Sequence, residues 1–188
     1  LLNADGSKQN SIAAFPTMLS LFLNTSLLEY LFPGRYPSKR YDHREPLEVE
    51  SAIGACMMVR GQALKEVSFF DERYFFFFEE TDLAFAMKRA GWSVCQVPDA
   101  LIYHFQGKSI GHNAKSRIEF YRSRYQFLRK WHGSAYYRAA AAVIFLRLLA
   151  DALLNAAGVV FTLGLSKNLR RKLAVYTQLI RWHFEGKR

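Results

Sequence analysis

The sequence predicts an α/β unit followed by a helical, membrane-seeking tail, and three observations carry that expectation. Between positions 49 and 105, short apolar runs of strand character alternate with segments of helical period, the pattern of a layered α/β unit. Charge is split along the chain: residues 1–107 carry a net −3 and residues 108–188 a net +13. From position 116 onward strand character disappears. A helix rich in Arg and aromatics is followed by a long apolar stretch and a last basic helix. With 188 residues, 51% of them apolar and 22% charged, the chain can build a core and is too apolar to be disordered. The organisation expected is therefore one part over 1–108 and another over 109–188.

The elements follow in order. Asn3, Asp5, Gly6 and Ser7 are turn chemistry. Residues 17–32 carry apolar side chains at helical spacing, with Pro16 just ahead and Pro33-Gly34 as the stop. Residues 33–50 read as a long polar loop with three prolines, Pro33, Pro37 and Pro46, and as a candidate functional lid. Residues 52–59 are a buried-strand run, 61–67 a short helix and 69–72 a turn. An unbroken aromatic run, 74–78, is expected to be strand-like and leads into an amphipathic helix over 80–90, closed by Gly91. Strands are expected at 92–97 and 101–105, around a Pro98-Asp99-Ala100 turn. Cys56 and Cys95 sit in apolar runs without metal spacing and are expected to be buried thiols, a disulfide between adjacent strands being the other reading.

The chemically loaded segment is 70–109. Glu79, Glu80 and Asp82 place three carboxylates within four residues at a helix start. Their mutual repulsion is only modestly offset by the helix dipole, at about 0.3–1 kcal/mol each. They either serve only as first-turn acids or include a carboxylate whose pKa is raised enough for general-base work. His104, alone, is either a ligand or an ordinary satisfied histidine.

The ordered set Gly54-Ala55-Cys56, Phe70-Asp71-Glu72, Glu79-Glu80-Thr81-Asp82-Leu83, Gly91-Trp92, Pro98-Asp99-Ala100 and His104-Phe105-Gln106-Gly107-Lys108-Ser109 resembles the C-terminal half of family 2 glycosyltransferases. The likeness is greatest to rhamnosyltransferase-like members that build bacterial surface polysaccharides. It covers about residues 1–132. The resemblance implies the C-terminal half of a GT-A-type nucleotide-diphospho-sugar transferase layer followed by membrane-associating helices. It implies inverting transfer of a sugar, rhamnose being the one suggested, from a nucleoside-diphosphate donor to a glycan or lipid-linked acceptor. Glu80 then takes the role of catalytic base, where the family usually has Asp. Glu79 sets the local field or holds a loop, and Asp82 caps and orients the helix. His104 becomes a ligand to Mn²⁺ or Mg²⁺ on the sugar diphosphate. Gly54, Ala55, Gly107 and Ser109 line the acceptor and donor. The family's Asp-x-Asp and nucleotide-binding strands are expected ahead of position 1, so the isolated chain is expected not to turn over.

For the tail, Arg147, Asp151 and Asn155 interrupt the apolar residues 139–165 and disfavour a bilayer span, since a central Arg or Asp costs about 2.5–3.5 kcal/mol. Helices lying on an anionic membrane surface are expected, at the cytoplasmic face of the cell membrane. Two other classes stand beside this reading. One is nucleic-acid binding by the Arg- and aromatic-rich helix at 116–132, not expected because the next thirty residues are apolar. The other is a non-catalytic scaffold half.

Overall fold

The computed structural model describes residues 1–39, 43–105 and 114–185. It divides into two compact units, Leu1–Ser109 and Ile110–Arg188.

The first unit is mixed, mostly helical and loop, with little sheet. Its elements are β1 (Ile12–Ala13), α1 (Met18–Phe22), α2 (Thr25–Leu31), β2 (Leu47–Glu48), β3 (Ser51–Ala52), α3 (Gly61–Glu66), α4 (Glu79–Arg89) and β4 (Cys95–Gln96). The strands form two separate antiparallel pairs. In one, Ile12 lies opposite Ala52; in the other, Leu47 lies opposite Gln96. The long strands expected at 52–59, 92–97 and 101–105 are therefore corrected. The first stops after Ala52, because Gly54 to Cys56 turn. Met57 and Val59 then leave the sheet to pack on a core of Ala63, Leu83 and Met87 between α3 and α4. An apolar run can be satisfied by a helix face as well as by strand neighbours, and here the helix wins. The run at 101–105 is reduced to a parallel bridge between Tyr103 and Leu2.

The single helix expected at 17–32 is two. Thr17 opens α1 in a reciprocal capping box with Ser20. Asn24 then accepts a 2.8 Å hydrogen bond from the Ser26 amide and starts α2 afresh. An Asn side chain that bonds its own downstream backbone offers the chain an alternative to continuing the helix. The 33–50 loop is anchored where it is described: Tyr36 and Ser38 are buried, and Arg35 pairs with Glu50.

Both cysteines are exposed, contrary to expectation. Cys56 falls in the 54–56 turn instead of a strand interior, and Cys95 lies on a strand of two residues paired on one side only.

The second unit is three helices, α5 (Ala114–Trp131), α6 (Ser134–Phe161) and α7 (Lys167–Phe184). α6 and α7 run antiparallel. A Cβ on Gly158 would sit 3.1 Å from Leu169 at one end, and Phe145 meets the Phe184 ring, centroids 5.3 Å apart, at the other. The connecting turn places Leu163 and Gly164 at positive φ. Tyr125 and Phe127 of α5 are buried, with Tyr125 packed against Tyr137 and Trp182. Those ring faces are taken up inside the bundle, where a base could not stack on them.

Candidate active site

α4 begins in an unusual way. Phe77 and Phe78 are at φ 65 and 68, left-handed backbone that bulky L-residues rarely adopt, at a cost of order 1–3 kcal/mol each. The aromatic run expected to be strand-like is therefore a strained turn. It is held in place by burial of Phe78 and by the edge contact of Phe76 with Phe77, centroids 4.7 Å apart. Reversal of the backbone at Phe78 lets α4 start at Glu79, so the three acids fall in its first turn. There they meet the positive end of the helix dipole.

The three carboxylates have different surroundings. Glu80 is largely withdrawn from water. That burial, together with the neighbouring charge of Glu79, pushes its carboxyl up to about 7 from an ordinary 4.5. Hydrogen bonds from the Thr81 hydroxyl, long at 3.4 Å, and from the Glu80 and Thr81 backbone favour the ionised form but are outweighed by that burial and charge. Glu79 has one carboxylate oxygen buried without a hydrogen-bond partner, so its charge is poorly dissipated and bears on Glu80. Asp82 is buried and accepts a 3.0 Å hydrogen bond from the Tyr74 hydroxyl. Asp82 does not cap the helix as expected: Phe78 is the N-cap position and no side chain caps it. Asp82 instead fixes Tyr74, three residues ahead of the strained pair, onto α4, and so holds the helix entry.

The exposed turn at Gly54 and Ala55 lies over Glu80. A Cβ placed on Gly54 would be 3.4 Å from Cβ and 3.6 Å from Cγ of Glu80. The structure thus brings together Gly54, Glu79 and Glu80, with Ala55 beside them and exposed. Gly107 and Ser109 lie outside the described residues.

His104 is held elsewhere in the unit by the segment at 1–9. Its amide donates to the Leu2 carbonyl at 2.8 Å. The Gln9 side chain donates through Nε2 to Asn3 Oδ1 at 2.7 Å and to the His104 carbonyl at 2.5 Å. Those two bonds orient the amide, so Gln9 Oε1 must accept from His104 Nδ1, 3.0 Å away. In a neutral imidazole, Nε2 is then left as the lone-pair atom. Sequence reasoning missed three of these contributors. Gln9, 95 residues from His104, and Tyr74, eight residues from Asp82, leave no local spacing signal. The reversal at Phe77 and Phe78 is masked by side chains that otherwise favour strands.

A divalent metal implied by the family can be set against these residues. His104 offers one ligand atom in the tautomer a metal requires. Among the described residues, no group of three or more His, Cys, Asp or Glu side chains stands close enough to hold a metal. The residues described do not make a complete site.

Comparison with known proteins bears on residues in and around this site. Residues 38–125 match the model of the family described as glycosyltransferase like family 2. Over 103 residues, 53% of the chain, the sequence is 37% identical to N-acetylglucosaminyl-diphospho-decaprenol L-rhamnosyltransferase from two strains of Mycobacterium tuberculosis. The match covers 33% of those proteins, so the chain spans about a third of the length of the curated relatives it matches. No solved structure matches. Gly54, Glu79, Glu80 and Asp82 all fall inside the matched segment, and the match over residues 38–125 together with the identity supports a family 2 glycosyltransferase of rhamnosyltransferase-like character.

Proposed function

We propose that this chain forms the acceptor side of an inverting family 2 glycosyl transfer, with Glu80 as the base. The observation that carries the reading is the raised carboxyl of Glu80, at about 7, beneath the exposed Gly54 turn. A base with a pKa near the working pH is substantially ionised yet still basic enough to take a proton in the transition state. Glu80 takes the proton from an acceptor hydroxyl. The freed oxygen forms its bond to the anomeric carbon while the bond from that carbon to the nucleoside diphosphate breaks on the opposite face. Glu79 keeps Glu80 basic through its charge. Gly54, lacking a side chain, leaves room for a sugar ring over the carboxylate. His104, with Nε2 presented as an acceptor, is the residue that would offer a ligand atom to a Mn²⁺ or Mg²⁺ ion.

The acceptor we favour is a lipid-linked glycan at the cytoplasmic membrane face, because the relatives are named for a diphospho-decaprenol acceptor. Rhamnose is the donor sugar that the same name suggests. The native polypeptide, assayed in membranes from its own cells with a nucleoside-diphosphate sugar, tests the reading. Glu80→Gln is expected to lower kcat by at least about a hundredfold, with little change in KM for the donor. Unchanged turnover would remove Glu80 from the mechanism and favour a non-catalytic scaffold half.

A further inference from the structure

The second unit has two outer faces of opposite character. α6 places Ala140, Ile144, Leu148 and Ala152 in its buried stripe. At 100° per residue, Arg147, Asp151 and Asn155 fall on that same side. The charges of Asp151 and Arg147 bear on the Tyr176 hydroxyl of α7, and Asn155 bonds the Asp151 carbonyl at 2.7 Å. The three polar residues that interrupt the apolar stretch are therefore turned into the bundle. The opposite side is apolar throughout. Every exposed residue of α6 from 142 to 161 is Ala, Leu, Val or Phe. Leu146, Leu153, Leu154, Val160 and Phe161 are each more than half exposed, Phe161 at 90%. The stripe runs on past the helix end through Leu163 and Leu165, which are 87% and 82% exposed. A continuous apolar face of this size is far more than scattered surface residues provide.

α7 is the reverse. Its exposed residues include Lys167, Arg170, Arg171, Lys172 and Arg181, and α5 adds Lys115, Arg117, Arg129 and Lys130. The apolar face thus belongs to a bundle whose other exposed side chains include these nine cations, in a region of net +13.

We propose that α6 lies in the plane of an anionic lipid bilayer, with its 142–161 face and the 163–165 turn sunk among the acyl chains and the cations of α5 and α7 at the phosphates. By length and composition α6 could also cross a bilayer. α7 argues against a crossing. It packs antiparallel along α6, so a span would draw Thr177, Gln178 and Arg181 of its exposed side into hydrocarbon. Lying flat satisfies both faces at once: apolar side chains reach about 5–10 Å into the boundary while the charged side chains of α7 stay at headgroup level and in water. Anionic lipid, instead of an apolar protein groove, is the occupant that the surrounding positive charge selects. The inference stands apart from the glycosyl-transfer reading, since it uses no residue of the first unit.

The test uses the whole chain and two kinds of vesicle, mixed phosphatidylglycerol and phosphatidylcholine, and phosphatidylcholine alone. Flotation is expected with the mixed vesicles, weakening as salt rises. The triple variant Leu153→Ser, Leu154→Ser, Phe161→Ser changes only exposed positions. It is expected to keep its helical circular dichroism and to lose at least about tenfold in partitioning. A fluorophore at position 146, 153 or 161 in turn, in a Cys56→Ser, Cys95→Ser background, should be quenched by shallow brominated lipids to a similar extent at all three. Quenching deepest at 146 and shallow at 161 would mean a span and overturn the flat arrangement. Absence of vesicle binding would overturn the proposal outright. So would a wild-type dimer in solution that the triple variant dissolves, because the face would then belong to a second copy.

Discussion

The raised carboxyl of Glu80 makes a prediction about stability that needs no substrate. An unfolded glutamate ionises near 4.5, while Glu80 in the fold holds its proton to about 7. Below 4.5 both states are protonated and the site contributes nothing to pH dependence. As pH rises, the unfolded chain releases the proton first, so stability falls until Glu80 also ionises near 7, and is level above that. At 1.36 kcal/mol per pH unit, the interval corresponds to roughly 3 kcal/mol lost from the first unit between those two values. Glu80→Gln cannot ionise, so the variant should lack this fall and exceed the wild type by about 3 kcal/mol at pH 8, relative to their difference at pH 4. The assay is urea unfolding at several pH values, read from hydrogen exchange of α4 amides so that only the first unit is scored. Titration of the Glu80 side-chain carboxyl by carbon NMR reports the same transition directly. Parallel pH profiles for the two proteins, or a carboxyl that titrates near 4.5, would refute the argument that burial and Glu79 create the base.

Other perturbations follow from the same contacts. Gly54→Ala would set a methyl at ordinary van der Waals distance from the Glu80 stem; it should fold normally and move the Glu80 titration further upward by excluding water, as carbon NMR would show. Tyr74→Phe removes a hydroxyl that Asp82 accepts from while leaving Asp82 buried; urea unfolding should show a loss of about 2 kcal/mol. Gly91 ends α4 at φ 88, so Gly91→Ala should cost about 1–2 kcal/mol in the same assay. Cys56 and Cys95, both exposed, should react with a maleimide at the rate of free thiols in the folded protein, which mass spectrometry reads as two additions.

The path from residues to structure was uneven, for reasons that differ by element. α3, α4 and the three tail helices were legible because long-period apolar spacing and their stop signals are local properties. The first-turn acids of α4 were legible too, as was the Gly91 stop. The strands were not. An apolar run such as 52–59 says that it will be buried but not against what, and the choice of α3 and α4 as its partners is made by residues four to thirty positions away. The break at Asn24 was readable in principle from cap chemistry, but the unbroken apolar period on either side outweighed it. The cysteines were misplaced because exposure at a turn depends on where the strand stops.

By itself the sequence determined the order of the motifs, the family they resemble, the acidic helix start and the division of charge between the two halves. Only the tertiary structure decided which of three neighbouring carboxylates holds its proton to about 7. That depends on burial, on the Gly54 turn packing over Glu80, on the unpartnered oxygen of Glu79 and on Tyr74 engaging Asp82. It also decided that Arg147, Asp151 and Asn155 face inward and leave α6 an unbroken apolar side. The physical reason is common to both. Helical period fixes which residues share a face, but desolvation and the direction of that face are set by what packs against it.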